Sequence, residues 1–283
     1  MTAPAGDASY CGEQVSRHDP DRFLCAMFAP ADRRDDLLAL LAFNLEIARV
    51  REQVSEALLG RIRLQWWREA IGEIYTGAPR RHAAIQPLHE AVKRRGLDRA
   101  LFERMIDARE ADLSGEAPRD LAALESYAEG TSAALSLLAL GVLGVRQGKA
   151  HEAARRVAIA WALTGLLRST AFHARAKRCY LPQEPMEKHG ARLEDLFELR
   201  GGDALSAVAR DIAVAARGHL SAARALRREV PRAALPVLLP AVLAEGYLKT
   251  LARAGHDPLT PGLAARAPIA AWRVSLAAFL GRY

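Results

Sequence analysis

The sequence predicts an all-α fold, a single-domain helical bundle covering residues 1–283. Three observations lead there. Apolar residues recur at helical spacing along almost the whole chain, and no segment shows the two-residue alternation of a strand. No low-complexity linker divides the chain, and no internal repeat suggests a second unit. Hydrophobic residues make up 51% and charged residues 26% of the 283, a globular composition long enough to bury a large core.

The elements follow in order. A helix opens at Pro30 with Asp32, Asp35 and Asp36 in its first turn, where the helix dipole favours negative charge, and continues through a stripe of Leu37, Leu40, Leu41, Phe43 and Leu45. "EALLGRIRLQWWREAIGEIYTG" forms a second amphipathic helix that stops near Gly77. Shorter helices are expected at 83–95 and 98–112, divided by Gly96. A long apolar helix carries Leu121, Leu124, Tyr127, Leu135, Leu138 and Leu143 and ends near Gly144. Another begins near Ala150, and two long helices are expected over 203–229 and 232–255. A C-terminal helix carries Trp272, Leu276 and Phe279. Its pattern suits either an interfacial helix lying on a bilayer or a cap closing the bundle.

Charge and composition narrow the function classes. A net charge of +7 favours an anionic partner. Nucleic acid is not expected, since zinc-finger spacing, RNA-recognition aromatics and a long basic arm are all missing. No uninterrupted apolar run reaches the length of a membrane span. The start, "MTAPAGDASYCGEQV", has neither a secretory nor a transit-peptide pattern. Cys11, Cys25 and Cys179 lack metal-ligand spacing, and their odd number argues against a disulfide framework. A reducing cytoplasm is the expected compartment.

Acid pairs at i, i+4 share a helix face, and the chain has several: Asp32/Asp36, Glu52/Glu56, Glu69/Glu73 and Glu125/Glu129. In so charged a chain these read as solvated faces. Trp66 and Trp67 are adjacent, so one is expected in the core and the other at a helix contact; Tyr127 and Phe172 are expected in the core.

The order of segments resembles the squalene/phytoene synthase family over most of the chain. "LLALLAFNLEIARVRE", "MIDAREADL", "YAEGTSAALSLLALGVLG" and "ALTGLLRSTAFHARAKRCYLP" carry the likeness. The resemblance implies a helical bundle with a central cavity, where two Asp-rich helices hold Mg²⁺ against substrate diphosphates. The family's first motif reads Ala-Phe-x-Arg-x-x-Asp-Asp-x-x-Asp. Here Ala42, Phe43, Asn44 and Leu45 are followed by Ala48 and Arg49 at the acid pair and Glu52 at the last acid. The second reads Asn-x-x-Arg-Asp-x-x-x-Asp; here it becomes Gly165, Arg168, Ser169 and His173, then Arg175, Arg178 and Tyr180-Leu181-Pro182. Neutral hydrogen bonds contribute roughly 1 kcal/mol each, against about 8 kcal/mol or more for enzymatic acceleration, so Ser169 and His173 without metal do not replace the lost acids.

"YCGEQVSRHDPDRFLCAMFAPADRRDDLLALLAFNLEIARVREQVSE" and "RLQWWREAIGEIY" look like a narrower branch of the family, the one containing mitochondrial complex I (NADH dehydrogenase) assembly factor 6. That likeness implies non-catalytic help in assembling respiratory complex I, through its subunits or assembly intermediates, with no cofactor. The Ala- and Arg-heavy composition points to a bacterial member, cytoplasmic and peripherally associated with the inner membrane. Arg168, Ser169, His173, Arg175, Arg178 and Tyr180 are candidates for holding an anionic head group, a prenyl diphosphate or phospholipid, without metal. Asn44, Ala48, Arg49 and Glu52 are expected to line the cavity opposite them. The ordinary reading of the arginines is a positive helix end. The alternative function is a Mg²⁺-dependent head-to-head prenyltransferase, which requires Glu52 to converge with Asp107 or Asp112.

Overall fold

The computed structural model describes residues 5–146, 148–266 and 268–283. Residues 1–4, at the start of the predicted domain, lie outside the described residues, as do 147 and 267. Among the described residues every regular element is helical. In chain order these are α1 (Ala5–His18), α2 (Pro20–Ala26), α3 (Ala31–Ala48), α4 (Ala57–Thr76), α5 (Ile85–Arg95), α6 (Arg99–Ala108), α7 (Ala111–Ser114) and α8 (Leu121–Ala128). They continue as α9 (Ala134–Val142), α10 (Lys149–Arg168), α11 (Thr170–Arg175), α12 (Gln183–His189), α13 (Leu193–Phe197), α14 (Asp203–Ala225), α15 (Leu235–Leu238), α16 (Pro240–Arg253) and α17 (Ala270–Leu280).

Two helices are buried on nearly all sides. In α3 every residue from Asp36 to Asn44 is buried, and in α10 the buried set includes Val157, Ile159, Trp161 and Leu163. A helix apolar on all faces belongs inside a protein. α10 packs against α14, α16, α9 and α8, while α3 packs against α1, α5 and α9. Both segments that resemble the family's motifs therefore lie on the innermost helices. The apolar core around them is continuous from Cys11 in α1 to Tyr283. Cys11, Cys25 and Cys179 are all buried, and burial pushes the Cys179 thiol up to about 11, away from nucleophilic use.

Glycine places the predicted stops correctly. Gly77 and Gly96 end α4 and α5 in the left-handed region, at φ 81° and 60°. Several of the expected helices are broken. The 121–144 helix is interrupted by a π turn at Glu129–Ala133. There a Cβ on Gly130 would lie 2.7 Å from the Ala108 Cβ, so α6 comes too close for a side chain. The 98–112 helix breaks between α6 and α7, and the 203–229 helix ends at Ala225 before a 3₁₀ turn, Arg227–Glu229. Pro236 and Pro240, each in the first turn of a helix, split the predicted 232–255 helix into α15 and α16. The stretch Arg232–Arg253 is long and apolar enough to cross a membrane by length and composition, yet 61% of its apolar window is buried in the bundle.

Two surface expectations change. Asp36, read as part of a solvated acid pair, is 3% exposed and clamped between Arg94 (2.8 Å) and Arg95 (2.6 Å) of α5. Phe172, expected in the core, is 51% exposed. The tryptophan pair falls as expected: Trp67 is buried in the core, and Trp66 packs edge-on against it with the Arg80 guanidinium 4.8 Å from its ring.

Candidate functional site

Both motif segments lie where a helix ends. α3 stops at Ala48, with the Arg49 N–H returning to the Leu45 carbonyl, and a 3₁₀ turn follows at Val50–Gln53. α10 stops at Arg168, and Ser169 joins it to α11. A helix C-terminus carries partial negative charge, so Arg49, Arg168 and Arg175 stand where cations are favoured. Carboxylates at these positions would oppose the dipole unless a metal compensated them.

The structure divides the candidate residues into three groups. In the first, Arg168 is held by a carboxylate from the N-terminal end of the chain. It donates to Asp21 Oδ2 at 3.2 Å and to the Ala264 carbonyl at 2.8 Å, and its guanidinium stacks 3.4 Å from the ring of Tyr247. Tyr247 donates to the same Asp21 oxygen at 2.7 Å, and Arg266 lies 3.7 Å from the other. Asp21 is buried, and so is Arg168 Nε, which lacks a partner. Arg168 therefore ties α10 to α2, α16 and the 264–266 segment instead of standing open to an anion.

The second group surrounds Asp112, the last acid of "MIDAREADL". Its Oδ1 accepts hydrogen bonds from Tyr127 and Tyr180, both at 2.8 Å, and its Oδ2 lies 3.2 Å from Arg109. Arg109 also donates to the Tyr127 hydroxyl at 2.7 Å. Burial pushes both phenols above the usual tyrosine range, and the Asp112 carboxylate adds to the effect, so both remain protonated donors. The His173 ring packs 4.6 Å from that of Tyr180, and its Nδ1 is buried without a partner. Ser169 is turned back on its own helix, donating to the Gly165 carbonyl at 2.8 Å. A cavity of about 10 Å³ remains beside His173, Arg178 and Tyr180, room for at most one water. Arg178 lines this cavity and Arg175 is exposed nearby in sequence; neither has a side-chain hydrogen bond or ion pair among the described residues.

The third group is the degraded first motif. Asn44 is buried; Ala48 and Arg49 are half-buried; Glu52 is exposed in the 3₁₀ turn. Arg49 acts electrostatically on Tyr10 and His18 of α1. Among the described residues no side-chain hydrogen bond or ion pair joins this group to Arg168 or His173.

The donor set does not fit magnesium. Among the described residues no three His, Cys, Asp or Glu side chains cluster as a metal site. Asp107 is exposed and pairs with Arg68, Asp112 is committed to Arg109 and two tyrosines, and Glu52 joins neither. Of the i, i+4 acids, Glu73 is engaged by Arg80 and Glu129 by Arg155, while Glu125 lies 3.2 Å from His219.

His173 gives a pH prediction. Burial, with Arg178 nearby, lowers its pKa from 6.5 to about 4. The unfolded chain therefore takes up a proton near pH 6.5 that the folded chain refuses until about pH 4. Stability from this group is complete above the unfolded value and is lost as pH falls through that window. Between pH 7 and 5 the wild type should lose about 2 kcal/mol more than His173→Asn in urea unfolding. Equal losses would mean that the ring titrates normally.

The comparisons with known proteins agree with this architecture. The family model described as squalene/phytoene synthase matches residues 15–273. The chain is 35% identical over 258 residues to NADH dehydrogenase (ubiquinone) complex I assembly factor 6 of Mus musculus, covering 91% of this chain and 78% of the relative. It is 30% identical over 223 residues to presqualene diphosphate synthase of Rhodopseudomonas palustris, covering 78% of this chain and 77% of that relative. The crystal structure of squalene synthase HpnC from Alicyclobacillus acidocaldarius superposes with a TM-score of 0.80 at 19% identity, over 90% of this chain and 98% of that one. That last likeness concerns the fold.

Proposed function

The chain belongs to the squalene/phytoene synthase family, and from that membership we propose that it is a non-catalytic member acting in assembly of the respiratory NADH dehydrogenase, complex I. Its partners on this reading are complex I subunits or assembly intermediates. It works at the cytoplasmic face of a bacterial inner membrane as a peripheral protein. The observation that carries the reading is the 35% identity over 91% of the chain to a complex I assembly factor. The donor set supports its non-catalytic half: both acid faces are replaced, and the remaining carboxylates in reach are committed to arginines and tyrosines.

The resemblance to a presqualene diphosphate synthase keeps a second reading in view, a Mg²⁺-dependent prenyltransferase. Incubating the purified protein with labelled farnesyl and geranylgeranyl diphosphates, with and without Mg²⁺, separates the two. The expected result is no product in either condition; Mg²⁺-dependent turnover would overturn the non-catalytic reading. Retention of the diphosphate without Mg²⁺, lost in Arg175→Gln/Arg178→Gln, would assign an anionic ligand to the rim of the second motif.

A further inference from the structure

The C-terminal helix presents an apolar face to solvent that the bundle does not use. Ile269, Trp272, Leu276, Phe279 and Leu280 fall at i, i+3, i+7, i+10 and i+11, and so on one side of α17 and its first-turn neighbour. All five are exposed, Trp272 at 66% and Phe279 at 80%. The opposite side, with Ala270 and Val274 buried, packs on α16. α17 is therefore already docked by one face and leaves a second, larger apolar face uncovered. Isolated exposed apolar residues are ordinary, but five in one stripe that includes a tryptophan and a phenylalanine are not.

The charge around that face points to its occupant. After Asp257 the chain contains no acid, and Arg266, Arg273 and Arg282 are its ionised side chains. Between α16 and α17 lies a groove of about 160 Å³ lined by Val242, Gly246, Lys249, Arg253, Ile269 and Arg273. Arg253 and Arg273 have no side-chain hydrogen bond or ion pair among the described residues. The Arg273 guanidinium comes within 3.1 Å of where a Cβ on Gly246 would sit, so glycine at that position makes room for it. Arg273 projects at the margin between the docked and the uncovered faces. An apolar, tryptophan-bearing stripe bordered by the unpaired Arg253 and Arg273 matches a bilayer interface with anionic headgroups.

We propose that α17 is the membrane-docking element of this protein, its Trp272/Phe279 face entering the interface of an anionic bilayer while Arg253 and Arg273 bind lipid phosphate in the adjoining groove. This rests on the reading of the chain as a peripheral membrane protein and names the surface and the lipid class. Arginine suits the task because its planar guanidinium can meet two phosphate oxygens at once.

Cosedimentation of the full-length protein with vesicles tests it, using phosphatidylcholine alone and phosphatidylcholine with phosphatidylglycerol. Wild type should bind the anionic vesicles and bind the neutral ones far less. Trp272→Ser/Phe279→Ser should weaken that binding at least about tenfold, since each side chain loses its transfer out of water. Arg253→Gln/Arg273→Gln should weaken binding to anionic vesicles by about fivefold per arginine and shrink the preference over neutral ones. All four residues lie at the surface or at the groove, so both variants should keep the wild-type thermal transition. Anionic-vesicle binding that survives Trp272→Ser/Phe279→Ser would overturn the assignment of α17 while leaving the peripheral reading intact. Wild type that ignores both vesicles but stays with washed native membranes would overturn the lipid assignment alone. Absence from native membranes as well would remove the peripheral reading with it.

Discussion

Replacing Asp112 by alanine should destabilise the protein by about 3–5 kcal/mol, the usual cost of removing one partner from a buried ion pair. For a chain of this length that corresponds to a fall in Tm on the order of 10 °C. Asp112 is 7% exposed and accepts from Tyr127, Tyr180 and Arg109, which reach it from three parts of the chain. Without it, the Arg109 guanidinium keeps its charge and loses its buried counter-ion, while two phenols lose their acceptor. Asp112→Asn should recover part of the loss, because the amide keeps one acceptor but not the charge. The double variant Arg109→Met/Asp112→Leu should be less damaged than Asp112→Ala, since no orphaned charge is left behind. A loss below about 1 kcal/mol would place Asp112 among ordinary surface acids and free it as a candidate metal ligand.

The same residue shows what could be read beforehand and what could not. The helix carrying "MIDAREADL" follows from apolar spacing, and the likeness of its acids to the family's is visible in the string. That Asp112 meets Tyr180, 68 positions on, is a property of the closed bundle. Arg168 is the sharper case. Read locally it is a free cation at a helix end; in the fold it belongs to Asp21, 147 positions earlier, and to the ring of Tyr247. Asp36 failed for a similar reason, since its partners Arg94 and Arg95 arrive from another helix. Asp21 and Tyr247 were missed altogether, and the one local signal was "HDPD", in which Asp19 caps α2 just ahead of Pro20. Periodicity captures which face of a helix is apolar, and so located α3, α4 and α10 well. It does not register a break that preserves the stripe, such as the π turn before α9 or the junction at Ser169.

These pairings give a physical account of the missing acids. At the end of α3, Arg49 stands at the helix C-terminus, where the dipole favours its charge. At the end of α10, Arg168 is held by Asp21, and His173 sits neutral against Tyr180. The packing faces of both helices are retained because the core is built on them. The polar end of α10 connects it, through Arg168, to α2 and α16.

A clean deletion, followed by measurement of assembled complex I on native gels and of NADH-driven respiration in isolated membranes, tests the central claim most directly. Deletion should abolish most of both signals, and the wild-type gene should restore them. The informative complement is Glu52→Ala/Asp107→Ala, which removes two exposed acids that a rebuilt metal site would need. Asp107 is 61% exposed in its pair with Arg68, so the cost to folding is small. The account expects this variant to restore complex I as fully as the wild type. Intact complex I in the deletion strain would contradict the assembly role, and failure of a stably folded double variant to complement would return the acids to a catalytic one.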